Sequence, residues 1–570
     1  MDLREHLTRV QEGMRNVYNL ANLSQWIVKH TKLDGKPFSF KDHEFQQDII
    51  DDPAKTLNVV KCAQVGLSEI FARWGIAAAA TQENFTLIWT FPNATDAEKF
   101  SKARLNPFIQ SSPELLRSLS KVVDSTELKQ FNANSFVYTR GTVSETGALS
   151  VPADLLIHDE LDRSDMANIA AYVSRLQHKP TKMRRLFSTP TVAKYGIDKE
   201  SLTSKRKRQI LKCSHCNHQF LPSYEENIII PGWDKPKIEI NRSNLKDIRW
   251  QEARLLCPCC GKEPDQSIQY REWVVENPQE NYDAVTYFVS PFCAPNILVP
   301  SYLVKASTDF SKWSEFQNQV LGLTAEDKQE TLTRSDIEAA LVQGDFTSND
   351  MHFMGVDLGL TCHITIGKLV NENLVVVKRV KCHVSQLEST RLALAKQYRV
   401  IASVHDAFPY TDLVDRITIY DPNAYGAVYV TRASTELYTI KERQAEVTEG
   451  KLNLRAVHIN RDVALDSLMM DFKNKKIIVA KEDDHETFVN HLQDMKRIKK
   501  FDKHGGIIYR WEKTEGEDHW HHSLLYCKIA ASLRGTFTGT DTVRSPLVKT
   551  FKVTNPNYKT TPLGLRMVKR

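Results

Sequence analysis

Between residues 31 and 190, four short β-rich apolar runs, at 57–60, 87–90, 155–157 and 186–188, alternate with helix-like segments. Strands separated by helices pair in parallel, because each crossover helix returns the chain to the same end of the sheet. The pattern predicts an α/β core, a mostly parallel sheet covered on both faces, and places the carboxyl ends of the strands on one edge where loops can gather functional groups. A chain of 570 residues exceeds what one hydrophobic core can organise, so two large domains and smaller pieces are expected. Apolar content of 41% and charged content of 26% are those of a globular protein, and no run has the length and purity of a membrane span.

The run at 57–60 leads into Lys61-Cys62-Ala63-Gln64-Val65-Gly66-Leu67-Ser68, and a segment with Ile70, Phe71, Trp74 and Ile76 at helical spacing follows. A strand, a loop and a helix N-terminus in that order cradle phosphates with backbone N–H groups. The loop departs from G-x-x-x-x-G-K-[ST]: with Gly66 and Ser68 aligned, Leu67 replaces the lysine and Lys61 stands at the first glycine. Its ammonium could still reach the β/γ-phosphates, with the Ser68 hydroxyl on magnesium. A strand at 155–157 ends in His158-Asp159-Glu160, with Asp162 beyond. Asp159 is the candidate to hold the magnesium and Glu160 to polarise the attacking water. Phe45 and Gln46 could hold an adenine. Thr189, in Phe187-Ser188-Thr189-Pro190, stands where a γ-phosphate sensor would. Arg140, Arg184 and Arg185 are candidates to neutralise transition-state charge, with Arg140 the possible arginine finger. ATP is the expected ligand.

Ten cysteines would suit disulfides, but Cys213-x-x-Cys216 and Cys257-x-x-Cys260 have the spacing of a four-cysteine zinc ribbon. Structural zinc contributes about 10–16 kcal/mol apparent, enough to hold an insert too small for its own core. Cys259, His215 and His218 are the substitute ligands. A closed four-thiolate site has no open position, so its role is structural or in binding DNA.

In the last third, Met354-Gly355-Val356-Asp357 ends an apolar strand with an acid, and 364–369 suits its hairpin partner. Asp406 follows the run 400–404, and Asp518 opens a helical segment that also carries His522. Three carboxylates from two strands and a helix can bind two magnesium or manganese ions and cleave a phosphodiester. His522 is a further candidate ligand or general acid, and Asp466 a weaker one.

A net charge of +6 says little over this length, but Lys205-Arg206-Lys207-Arg208 is a run of four bases, and residues 543–570 hold seven bases and no acid. Each suits either phosphate contact or a solvated loop or tail. Residues 2–30 carry one apolar face at helical spacing, and Met1 to Val10 has acids and bases in place of the basic head and apolar core of a secretion signal. The expected divisions are a helical arm at 1–40, an ATPase core at 41–200, a zinc-ribbon insert at 201–265, a lid or linker subdomain at 266–335, a second α/β domain at 350–534 and a flexible basic tail at 535–570.

In this order, the loop at Lys61, the pair Asp159-Glu160, the Ser-Thr-Pro at Ser188, the cysteine pairs, Phe316-Gln317-Asn318-Gln319-Val320-Leu321-Gly322 and the three aspartates resemble the large terminase subunit of tailed bacteriophages, in its lambda-like branch. The resemblance runs from about Phe45 to Ala530. It implies a P-loop-type ATPase followed by an RNase H-like nuclease, an ATP-driven motor that packages double-stranded DNA and an endonuclease that cuts concatemeric genomes. It also implies a small terminase partner, a portal ring, a pentameric motor state, and residence in the host cytoplasm and transiently at the procapsid, with no membrane contact and no place in the mature virion. Glu69 stands where lambda-like loops often carry a second lysine. Rival readings are a free-standing ATP-dependent helicase or recombination nuclease, and a zinc-containing DNA-binding assembly protein with decayed sites, for which Leu67 argues.

Overall fold

A computed structural model describes residues 20–143, 151–325, 331–344, 346, 348–430, 436–447, 450–501, 507–534, 558–560 and 566–568. The chain forms two compact units, one of 1–327 with 498–508, the other of 328–497 with 509–570. Most of the expected arm lies outside the described residues; from Leu23–His30 the chain is helical (α1), with Leu23, Trp26 and Ile27 in the core of the first unit. Of the expected basic tail, only the strand pair Tyr558–Thr560 and Arg566–Val568 is described.

The first unit is built on one sheet of eleven strands. Those that matter here are β1 (Thr56–Lys61), β2 (Thr86–Phe91), β3 (Leu119–Asp124), β4 (Leu128–Phe131), β5 (Ser135–Gly141), β6 (Leu155–Asp159), β7 (Met183–Ser188), β8 (Lys205–Lys212), β9 (Gln219–Phe220), β10 (Arg271–Val275) and β11 (Val285–Val289). Their order is β9-β8-β11-β1-β7-β6-β2-β5-β4-β3, with β10 also on β8, and the seven strands from β8 to β5 are parallel. All six residues of β2 are buried, and β1 is buried after its first residue, so these strands are covered on both faces as continuous apolar runs require. Helix α2 (Leu67–Thr81) crosses from β1 to β2, with Ile70, Phe71, Trp74 and Ile76 buried as their spacing predicts.

Two sequence expectations are corrected by this sheet. The bases of 205–208 are no solvated loop: they belong to β8, where Lys207 Nζ pairs with Asp52 at 2.8 Å and Arg208 Nε with Glu276 at 2.6 Å. The segment with the cysteine pairs follows β8, which ends at Lys212, and the stretch from 266 returns β10 and β11 to the same sheet, β11 lying between β8 and β1.

The second unit has a mixed sheet of nine strands: β12 (Leu341–Val342), β13 (His352–Asp357), β14 (Thr361–Val370), β15 (Asn373–His383), β16 (Val400–Asp406), β17 (Ala424–Val430), β18 (Tyr438–Val447), β19 (Gly450–Asn460) and β20 (Ile477–Ala480), in the order β12-β20-β15-β14-β13-β16-β17-β19-β18. The hairpin β13–β14 is antiparallel, and β16 adds to the other side of β13 in parallel. Alternation along β13 sends Met354 and Val356 into one core and Phe353 into the other. On Phe353's side lies helix α3 (His519–Arg534). It packs so closely that a Cβ on Gly355 would stand 2.1 Å from both Cys527 N and Ser523 O, so only glycine fits there.

Candidate functional site

In the first unit the loop after β1 and the acids after β6 meet across the end of β7, which lies between the two strands. Lys61 Nζ donates to Glu160 Oε1 at 2.8 Å, with the lysine buried and the glutamate a quarter exposed. Glu160 has a left-handed backbone (φ 53°), which a non-glycine residue holds only where its surroundings impose it. Thr189 Oγ1 donates to Glu160 Oε2 at 3.4 Å, and Arg163 Nε stands 3.8 Å from the same oxygen.

Burial opposes the charge on Lys61, but Glu160 and Asp159 raise its pKa; burial likewise opposes ionised Glu160, and Lys61 and Arg163 hold it below its ordinary value. Asp159 is pushed up to about 7 by burial and by the charge of Glu160, against a hydrogen bond from Ser68. Ser68, Lys99, Arg104, Asp159, Glu160 and Arg163 line one open cleft of about 340 Å³. A loop lysine, a helix-start hydroxyl and two acids around one cleft can hold a nucleotide's phosphates with a divalent ion and direct a water at the last phosphorus.

The remaining candidates fall differently. Gly66 caps helix α2 and Leu67 opens it. Phe45 is wholly buried, leaving no face for a base, and Gln46 Nε2 donates to Val65 O at 2.8 Å, so this pair props the loop where a purine contact was expected. Arg140 is on β5 and pairs with Glu127 at 2.9 Å; Arg185 is buried and donates to the carbonyls of Ala54 and Lys55. Arg163, Lys99 and Arg104 were missed, although Arg163 stands three residues after Glu160, where a following helical turn returns it to the same side.

The stretch 316–322 packs under the loop. Ala63 N donates to Gln319 O at 2.6 Å, and Asn318 Nδ2 donates to Thr191 O at 2.7 Å. Gly322 has φ 68°, and a Cβ there would meet Cys62 N at 2.7 Å. Beneath Glu160, Asp162 is fully buried and accepts from Thr191 N, Thr191 Oγ1 and Ile197 N at 2.9, 2.8 and 2.7 Å.

Cys213, Cys216, Cys257 and Cys260 bring their sulfurs within 4.8 Å of one another. Cys213 N donates to His218 O and Cys257 N to Lys262 O, both closing knuckles, and His215 N–H points at Cys213 Sγ at 3.4 Å. The substitute ligands stand apart: Cys259 is exposed, His215 Nε2 meets Glu263 O at 3.0 Å, and His218 stacks on Phe220. A set of four thiolates in two such turns fits a tetrahedral thiophilic ion.

In the second unit, Asp357 ends β13, Asp406 ends the neighbouring β16, and Asp518 immediately precedes α3. Asp406 is pushed up to about 6 by burial and by the charge of Asp357. Burial opposes ionisation of Asp518 too, but His522, with Lys513 and His519, holds it well below the carboxylate range. His522 Nε2 is 3.2 Å from Asp518 Oδ2, and its Nδ1 is 2.7 Å from Tyr429 Oη.

The ligand atoms that converge within 4.8 Å are nevertheless those of Asp357, His363 and His519; among the described residues the three aspartates do not form such a group. His519 Nδ1 is 2.8 Å from Asp357 Oδ2. His363 is the cross-strand partner of Asp357 in the β13–β14 register, which sets both side chains on one face. The signal was present: a tight hairpin centred near Leu360 pairs 357 with 363, and residues 519, 522 and 526 recur at helical spacing.

A cleft with this equipment at the carboxyl edge of a parallel sheet defines a nucleoside-triphosphate hydrolase. Residues 39–276 match the family model described as phage terminase large subunit gpA, ATPase domain. The matched segment contains the loop at Lys61, Ser68 and the acids Asp159 and Glu160, so the cleft lies within the part of the chain that is similar to that ATPase domain. No curated protein matches the chain. Among solved structures, the HK97 bacteriophage large terminase is similar over 89% of this chain and 98% of that one, at 13% identity and a TM-score of 0.46. A large terminase from a thermophilic bacteriophage, solved in complex with ATP-gamma-S, is similar over 83% of this chain and 93% of that one, at 9% identity and a TM-score of 0.29. The large terminase nuclease from thermophilic phage G20c with bound magnesium is similar over 35% and 98%, at 14% and 0.24. Among the described residues no helix is long and apolar enough to cross a membrane.

Proposed function

We propose that this chain is a large terminase of the lambda-like, zinc-ribbon branch, in which a P-loop-type ATPase drives double-stranded DNA and an RNase H-like nuclease cuts concatemers. The observation that carries the reading is the convergence of Ser68, Asp159 and Glu160 on one cleft inside the matched segment, with Lys61 paired to Glu160 behind it. Lys61 and the loop amides up to Ser68 hold the ATP phosphates, with Gly66 and Leu67 opening the helix beneath them. Ser68 and Asp159 hold Mg²⁺, which neutralises phosphate charge when bound. Glu160 orients the water, and Thr189 reports the γ-phosphate to β7.

Cys213, Cys216, Cys257 and Cys260 hold a structural Zn²⁺. Asp357, Asp406 and Asp518, with His522 beside them, form the cutting centre. Three of the four bases at 205–208 are spent on ion pairs within their own unit, so DNA contact is assigned elsewhere. The partners are a small terminase subunit, a portal ring and further copies of this chain in a pentamer, in the host cytoplasm and at the procapsid.

The test is cleavage of supercoiled plasmid by the purified chain in manganese, with and without ATP, beside Asp357→Ala. Cleavage lost in the variant, with ATP turnover in both, supports the reading. Equal cleavage by the variant removes the nuclease assignment.

A further inference from the structure

We propose that Asp357, His363 and His519 form a mixed nitrogen–oxygen site for a divalent transition ion, one that discriminates against Mg²⁺. This rests on the preceding reading only for its consequence in DNA cutting; the binding claim stands by itself.

The three ligand atoms lie within 4.8 Å of one another, on three elements with separate reasons to hold position. Asp357 is fixed at the end of β13 and is 5% exposed. His363 is its antiparallel partner on β14, 3% exposed, with Nδ1 lacking any hydrogen-bond partner. A buried imidazole nitrogen with no partner costs free energy unless something is to occupy it. His519 opens α3, and α3 is seated on β13 through the Gly355 contact, so its first turn cannot drift from the strand. The rings of His363 and His519 stack with centroids 4.8 Å apart, and Trp520 closes His363 edge-on at 4.7 Å.

Donor chemistry then selects the ion. Mg²⁺ prefers an octahedron of hard oxygens and keeps several waters. Two imidazoles and one carboxylate suit Mn²⁺, Co²⁺ or Zn²⁺, with affinity rising along the Irving–Williams series. An all-oxygen centre built from Asp357, Asp406 and Asp518 would put no imidazole nitrogen on the ion. Asp357 is common to both sets, so an ion on the histidine side shares a carboxylate with any ion on the Asp406 side.

The experiment uses the full chain with its thiolate site loaded with zinc, one equivalent of Mn²⁺, and electron spin echo spectroscopy for ¹⁴N coupling. Two coordinated imidazoles are expected in the parent, one fewer in His363→Ala and in His519→Ala, with Mn²⁺ affinity down by about 10-fold or more in each. The parent's Mn²⁺ should persist in a large excess of Mg²⁺. Absence of ¹⁴N coupling in the parent, its survival unchanged in both variants, or displacement of Mn²⁺ by equimolar Mg²⁺ overturns the site. The parent spectrum needs no variant to fold. Nitrogen-bound Mn²⁺ without any plasmid cleavage would uphold this site while removing the nuclease reading.

Discussion

Lys61 and Glu160 are joined by a 2.8 Å ion pair across the end of the strand that separates their own. The lysine of the phosphate loop and the acid assigned to the attacking water thus neutralise each other when no nucleotide is between them. On the proposed reading, triphosphate oxygens would compete for the ammonium, and binding would free the carboxylate in the same event.

From this pair, Glu160→Gln should retain ATP binding and lose turnover by about 10²–10⁴-fold, the range for removing a positioned acid–base group. Lys61→Ala should instead weaken binding. A radiolabelled phosphate-release assay beside equilibrium nucleotide titration separates the two, and a Glu160→Gln chain that hydrolyses ATP at the parent rate would exclude Glu160 from the role.

Gly322→Ala is expected to disturb the phosphate loop from far along the sequence. The new Cβ would stand 2.7 Å from Cys62 N on a backbone at φ 68°. The cost should exceed about 1 kcal/mol, visible as a lower melting temperature and a raised KM for ATP. An unchanged KM would show that the 316–322 turn does not support the loop.

Metal analysis of the purified chain should return one thiolate-bound zinc. Cys213→Ser and Cys257→Ser should lose it and melt at lower temperature, whereas Cys259→Ser should keep it, since its side chain stands outside the four-sulfur group. Zinc lost in Cys259→Ser would reassign the ligand set.

Asp162 carries the clearest pH dependence outside the metal positions. Burial pushes its carboxyl up to about 7, against hydrogen bonds from Ile197 and Thr191. Below the unfolded value near 3.8 both states hold the proton; between there and about 7 only the folded state does, so this group's contribution to stability falls as pH rises through that window. The melting temperature of the parent relative to Asp162→Asn should therefore decline from about pH 4 to about pH 7 and level off beyond. A difference that grows with pH would mean that Asp162 is ionised throughout.

Periodicity and loop spacing made much of this molecule legible. The parallel core, the loop at Lys61, the acid-ended strand and the paired cysteine knuckles are local patterns, each written within a short stretch of chain. The hairpin after Asp357 was equally local. What escaped depended on register and on packing over long separations. Phe45 read as a purine platform because its burial under the loop is set by tertiary contacts, and the bases of 205–208 read as a solvated run because their acids, Asp52 and Glu276, lie far away in sequence. His519 was passed over for its neighbours Asp518 and His522, since only the seating of α3 on Gly355 decides which helix positions face Asp357.

The four residues from Ser188 to Thr191 form a junction. Thr189 touches Glu160, Thr191 donates twice to Asp162, and the Thr191 carbonyl accepts from both Asn318 and Ala325. Glu160 therefore keeps its contact with this junction through Thr189 when Lys61 parts from it. Contacts to the cleft and contacts to the 316–325 stretch thus meet within a span of four residues.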